Sequence, residues 1–237
     1  MAEKVRFESR GPAAIDPRAL GQGLDPLPPS SVVLLGTTAV VDVSGPLSAH
    51  FTYGLDNYDL ILERVRDACA SPAAAVVLRI DSPGGDVYNC FSTARAIRAT
   101  CVAAGKPLHA YIAGAGTSAA YALACAADGI YASDVACVGS IGVIDLMVSV
   151  ARQDAANGID FAVVASGERK ADGNPHVALS EAAVAAHVGH VNDLAAVFYA
   201  WVSERRGLST EVIQGFQAGV FVGARAKDAG LVDAITD

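Results

Sequence analysis

Two short stretches join residue types that do chemistry to neighbours able to expose them. Asp81-Ser82-Pro83-Gly84-Gly85 closes a buried apolar run at residues 74–80. Paired glycines at such a junction let the backbone turn its N–H groups outward, toward a ligand or a developing oxyanion. An ordinary tight turn uses the same dipeptides. Ser118 follows Gly114-Ala115-Gly116-Thr117 and precedes two alanines. In most such places a serine caps a helix; it becomes a nucleophile when a base stands beside it. None of the five histidines lies between His109 and His176, which turns attention to lysine, whose amine loses its usual pKa of about 10.4 on burial. Apart from Lys4 the chain has Lys106, Lys170 and Lys227. Lys170 sits in a polar, glycine-bearing loop at residues 166–175, where a lysine is ordinarily solvated.

Other patterns compete. Gly114-Ala-Gly116-Thr-Ser-Ala119 matches a dinucleotide fingerprint, with Asp134 20 residues beyond Gly114. Against that reading, it falls mid-chain after two earlier strands, and the helix that follows spans only about ten residues, short for a crossover. His187 and His190, three apart on a helix, lack the acidic or cysteine partners of a metal site. The cysteines (Cys69, Cys90, Cys101, Cys125, Cys137) are odd in number and set in apolar patterns, as buried reduced thiols are.

The elements that must position these residues follow from periodicity. Residues 38–43 read as a strand and 57–70 as a helix with Tyr58, Ile61, Leu62, Val65 and Cys69 on one face. A strand at 74–80, a helix at 86–104 and a strand at 108–112 come next. A tight turn at 114–116 and a buried helix at 117–127 follow, then strands at 129–132, 136–138 and 161–164. A helix over 180–205 ends at Gly207. This alternation defines an α/β domain with a largely parallel sheet and right-handed crossovers, whose ligands gather at the carboxyl ends of strands. The turns at 81–85 and 114–118 therefore belong near each other.

With 237 residues, 52% apolar and 18% charged, the chain can bury a core without staples and is not disordered. The uncharged stretch 107–127 reaches membrane-spanning length, yet it carries His109, Gly114, Gly116, Thr117 and Ser118, which fits a buried strand and helix better and predicts no membrane anchor. A net charge of −8 without a basic run argues against nucleic acid as a partner. Met1 to Arg10 lack the apolar core of a secretory signal, so the protein is expected to stay where it is made. Residues 1–31 hold five of the ten prolines and read as a flexible arm, leaving 32–237 as the folded domain.

Taken together, Asp81-Ser-Pro-Gly-Gly85, Thr117-Ser118-Ala-Ala-Tyr121 with Ala127-Asp128, Gly139-Ser140-Ile-Gly-Val143 and Gly167-Glu-Arg-Lys170 resemble the signal-peptide-peptidase-A family of serine peptidases. The likeness runs from about Val40 to Gly230-Leu-Val-Asp233. Lys170-Ala-Asp-Gly-Asn-Pro175 followed by Leu179-Ser180 is most similar to the family's bacteriophage branch, the protein-C-like head maturation proteases.

The resemblance implies a Clp-protease/crotonase-like α/β fold with parallel β-sheet layers and flanking helices, a homo-oligomer, and a Ser/Lys dyad that needs no metal or cofactor. Position by position it implies Ser118 as nucleophile, Lys170 as general base and Ser140 as the serine orienting the lysine. The oxyanion hole falls on the Gly84-Gly85 pair, on Gly85 by preference, and on the N–H of Ala119. It implies a protein or peptide substrate, with phage or prophage capsid, scaffold or portal proteins processed in the host cytoplasm or procapsid. Ala119-Ala120 replaces the glycines many members carry after the nucleophile, and the scaffold segment that often follows the protease is expected to be separate or absent. Two other classes stay open. A catalytically inactive assembly protein of the same fold would not react with a fluorophosphonate; a crotonase-type acyl-CoA enzyme would show a CoA-dependent thermal shift.

Overall fold

The computed structural model describes residues 32–50, 52 and 55–236; the arm read at 1–31 lies outside the described residues. The first half of the chain forms β1 (Val33–Leu35), β2 (Thr38–Ser44), β3 (Leu47–Ser48), β4 (Asp56–Asn57), α1 (Tyr58–Ala70), β5 (Ala75–Ser82), α2 (Cys90–Ala103), β6 (Leu108–Thr117) and α3 (Ala119–Ala124). The second half forms β7 (Gly129–Ala132), β8 (Cys137–Gly139), α4 (Ala151–Ala156), α5 (Glu181–Arg206), α6 (Thr210–Gly215), β9 (Val220–Val222), α7 (Ala224–Asp228) and β10 (Ala234–Ile235). Two compact units result: the described residues up to Gly142 with those from Phe198 onward, and Val143–Val197.

In the first unit the strand order is β1-β2-β5-β6-β7-β10, parallel from β2 to β10, with β1 antiparallel at the edge. β5 lies inside this sheet and buries Val76, Leu78 and Ile80 on one face, while on the other Ala75 and Val77 are half-buried and Arg79 is exposed, so the strand alternates and is not buried on both sides as its apolar run suggests. Helix α1 starts because the Asn57 side chain accepts the Leu60 N–H at 2.9 Å, and it buries Tyr58, Ile61, Val65 and Ala68. Helix α3 is buried all round, with alanine at four of its six positions and Tyr121 and Leu123 at the other two.

Strand β6 departs from the expected strand-and-turn. Its first half pairs with β7, at His109↔Gly129 through Ile112↔Ala132; its second half pairs with β8, at Ala115↔Cys137 through Thr117↔Gly139. Gly114 and Gly116 therefore belong to a strand, not a tight turn, and are not the glycines of a phosphate-binding loop. Their size serves packing: a methyl on Gly114 would stand 2.5 Å from Asp81 Oδ1, the oxygen that accepts the Ala115 N–H at 2.9 Å, and one on Gly116 would stand 2.7 Å from the Ile112 side chain.

Two further expectations are corrected. Helix α2 begins at Cys90, four residues later than periodicity predicts, because the Asp86 N–H is held by the Leu47 carbonyl at 2.9 Å and Asn89 takes a left-handed φ of 63°. No strand forms at residues 161–164. No strand pairs with this run, and Phe161, Val163 and Val164 are exposed.

The second unit carries α4, the start of α5 and a single 3-10 turn at Glu168–Ala171. Polar clasps organise it: Val150 N–H to Pro175 O at 2.7 Å, His176 Nδ1 to Asp154 Oδ2 at 2.9 Å, and Phe161 stacked on the His176 ring with centroids 4.0 Å apart. Among the described residues no helix is long and apolar enough to cross a membrane.

Candidate active site

The carboxyl ends of β5 and β6 meet as the parallel order requires, and they bring the two singled-out loops together. A methyl added to Gly84 would lie 2.7 Å from Ser118 Cβ, 2.8 Å from the Thr117 carbonyl oxygen and 2.9 Å from Ala119 N. Glycine alone permits this approach, and its φ of 96° is likewise one that other residues avoid. The Thr117 hydroxyl donates to the Pro83 carbonyl at 3.0 Å and fastens the loops a second time.

Ser118 occupies the joint between β6 and α3 with φ 54° and ψ −127°, a region glycine enters freely and serine does not. A sharp, strained strand-to-helix turn of this kind lifts a side-chain oxygen clear of the sheet. The Ser118 N–H is fixed by the Gly139 carbonyl at 2.8 Å, and the side chain is half-buried.

Two amides flank this serine with their directions set by their own carbonyls, since a trans peptide aims its N–H opposite to its C=O. The Gly84 carbonyl accepts the Leu47 N–H at 2.9 Å, turning the Gly85 N–H away from Leu47 at an exposed residue. The Ser118 carbonyl accepts the Ala122 N–H at 3.1 Å, turning the Ala119 N–H back out of the helix. The Gly84 N–H donates instead to Ser82 Oγ at 3.1 Å. Of the glycine pair, Gly85 is thus the one with an amide to offer, and Gly84 is the one whose missing side chain admits Ser118.

Ser140 follows Gly139 directly, at φ 52°, with its N–H on the Gly219 carbonyl at 2.9 Å. Ser118, Gly84, Gly85, Ala119 and Ser140 all belong to the first unit; Lys170 belongs to the second, on the 3-10 turn, and is exposed. His187, weighed as a metal ligand, pairs through Nδ1 with Asp145 at 2.7 Å, and among the described residues no three or more His, Cys, Asp or Glu groups gather as a metal cluster would.

Sequence reasoning missed the residues that brace the loop. Leu47 acts only through its backbone in a two-residue strand, where side-chain type carries no signal. Ser82 was visible inside Asp81-Ser-Pro-Gly-Gly85, and its hydroxyl both accepts the Gly84 N–H and donates to the Gly45 carbonyl at 2.7 Å. Asp86 takes the Ala49 N–H on its carboxylate at 2.9 Å.

The mainly parallel sheet with flanking helices, its β6 handed from one partner strand to another, defines the class: a Clp-protease/crotonase-like α/β fold. Comparison with known proteins narrows it. The model of peptidase family S49 matches residues 101–237, and the chain belongs to that family. It is similar to the "Head-tail preconnector protein GP5" of Enterobacteria phage P21, 31% identical over 98% of this chain and 46% of that protein. It is similar also to the "Capsid assembly protease C" of Escherichia phage lambda, 30% identical over 87% of this chain and 48% of that protein. A third relative is "Protease 4" of Salmonella typhi, 31% identical over 85% of this chain and 33% of its own length. The chain spans less than half the length of these three relatives.

Proposed function

We propose that the protein is a serine endopeptidase acting through a Ser118/Lys170 dyad. The observation that carries the reading is the strained Ser118 elbow, against which Gly84 is seated and beside which the Gly85 and Ala119 amides are turned outward. A base takes the Ser118 hydroxyl proton as Oγ attacks a peptide carbonyl carbon; the two amides stabilise the resulting oxyanion. The tetrahedral species collapses with loss of the amine, which receives the proton from the base, and an acyl-enzyme remains. Water then attacks, giving its proton to the same base, which returns it to Oγ as the acid product leaves.

Lys170 is the proposed base and Ser140 the hydroxyl that orients it, both by likeness of motif. A lysine works as a base when desolvation disfavours its ammonium form. Lys170 is exposed in the single chain, so in this reading its desolvation comes from bound substrate or from assembly of copies into a homo-oligomer. The relatives named for capsid assembly and the head-tail preconnector support phage or prophage head proteins (capsid, scaffold or portal) as substrates in the bacterial host.

Co-expression with candidate phage head proteins (capsid, scaffold or portal), followed by gel analysis, tests activity and substrate together. Ser118→Ala and Lys170→Ala are each expected to abolish cleavage while leaving the circular dichroism spectrum unchanged. Undiminished cleavage in either variant rejects the dyad.

A further inference from the structure

The Gly85 amide is only as well aimed as the segment behind it, and that segment is clasped from several directions. The Asp86 N–H reaches the Leu47 carbonyl at 2.9 Å and the Leu47 N–H reaches the Gly84 carbonyl at 2.9 Å, which makes Gly85 one rung of a short parallel bridge. On the outer side the Asp86 carboxylate accepts the Ala49 N–H at 2.9 Å and the Ser48 hydroxyl at 3.4 Å. On the inner side the hydroxyl of Tyr58, a fully buried residue at the start of α1, donates to the Asp86 carbonyl. The Cys90 thiol lies beside that hydroxyl and donates to the carbonyl of Ala119 at 3.6 Å. One buried pair of side chains therefore touches the backbone on both sides of the opening: next to Gly85 through Asp86, and at Ala119 itself.

Burial pushes both groups up, the Tyr58 hydroxyl strongly and the Cys90 thiol to about 12, so each stays protonated and available as a donor at neutral pH. Neither is solvent-exposed, and neither touches reacting atoms. Their chemistry is to hold carbonyls.

We infer that Tyr58 is a positioning residue for the oxyanion hole, fixing the Gly85–Asp86 segment from within, with Cys90 linking it to Ala119 and the Asp86 carboxylate fixing the same segment from outside. This rests on the reading of Ser118 as nucleophile. Removing an oxyanion donor outright slows a serine enzyme by about 100-fold to 1,000-fold; misaiming one while keeping it should slow reaction less, by about tenfold.

The purified full chain is treated with a fluorophosphonate, whose phosphoryl oxygen enters the oxyanion hole as Ser118 is modified, and both the rate and the final extent of labelling are followed. Tyr58→Phe keeps the ring and deletes the hydroxyl; it is expected to label to the same final extent as the parent at about one tenth of the rate. Asp86→Ala, at an exposed side chain, loosens the outer clasp and is expected to slow labelling severalfold, which keeps the inference testable should Tyr58→Phe fold poorly. A Tyr58→Phe rate within twofold of the parent, or a lower final extent reached at the parent rate, overturns the positioning role and leaves the nucleophile reading standing. A parent protein that is not labelled at Ser118 overturns both.

Discussion

At Ser118 the side chain and the backbone make opposing demands. The proposed chemistry asks for a hydroxyl, while φ 54° and ψ −127° ask for glycine. Holding a non-glycine residue there costs about 1–3 kcal/mol, supplied by the surrounding bonds to Gly139 and Ala122. Two variants without the hydroxyl separate the demands. Ser118→Ala keeps the strain; Ser118→Gly releases it and loses about 0.5–1 kcal/mol to chain entropy. Urea unfolding should therefore place Ser118→Gly about 1 kcal/mol above Ser118→Ala in stability. The reverse order would mean the elbow is unstrained. The glycine pair makes the complementary point: both members were legible as a place where N–H groups turn outward, but only the bond from Gly84 N–H to Ser82 Oγ tells which of them is free to do so.

Helix α3 carries the residues after Ser118, the proposed nucleophile, and its position is set from the far end of the chain. Trp201, near the end of α5, donates its indole N–H to the Ala122 carbonyl at 2.9 Å, and the guanidinium groups of Arg95 and Arg205 lie over its ring at 5.4 and 5.9 Å. Arg205 also donates to the Cys125 and Ala127 carbonyls at 2.9 and 3.2 Å, closing the carboxyl end of α3. Replacing Trp201 by alanine opens a cavity beside α3 and orphans a carbonyl, a loss of about 3–5 kcal/mol in thermal or urea unfolding. A loss under about 1 kcal/mol would show that α3 is held by its own burial alone. What could be read in advance at this scale follows the range of the forces involved. Helix α1 and β5 were legible because near neighbours in sequence dictate them. The extension of β6 was not, since its second half depends on β8, about 20 residues on, and on an Asp81 carboxylate from another strand. The late start of α2 was hidden for the same reason: the Leu47 bridge overrides a helical pattern at residues 86–89. The apolar run at 161–164 has a strand's composition and no pairing strand. Tyr58 read correctly as part of an apolar helix face, but the destination of its hydroxyl is a matter of tertiary structure.

For the molecule as a whole, acid is the condition that tests how the termini of strands are tied. Asp128 accepts the Leu108 N–H at 3.0 Å and pairs with Arg98 at 2.9 Å; Asp233 accepts the Ile130 N–H at 2.7 Å and pairs with Arg206 at 2.9 Å. Burial raises both carboxyls, but these donors outweigh it and hold each below the usual carboxylate range. A depressed folded-state pKa gives stability that is fully present above the unfolded value, about 3.9, and is lost as pH falls through the folded values beneath it. Asp56 runs the other way. Burial raises its carboxyl further than Arg64 lowers it, so protonation in acid relieves a cost and opposes the loss. Thermal melts from pH 7 to 2.5 should thus be level down to about pH 5 and fall below about pH 4. Asp128→Asn and Asp233→Asn should each flatten that fall, and Asp56→Asn should steepen it. If Asp233→Asn keeps the parent slope, its bonds to Arg206 and Ile130 do not persist in solution, and β10 is held to β7 by its backbone ladder at Ala234 and Ile235 without them.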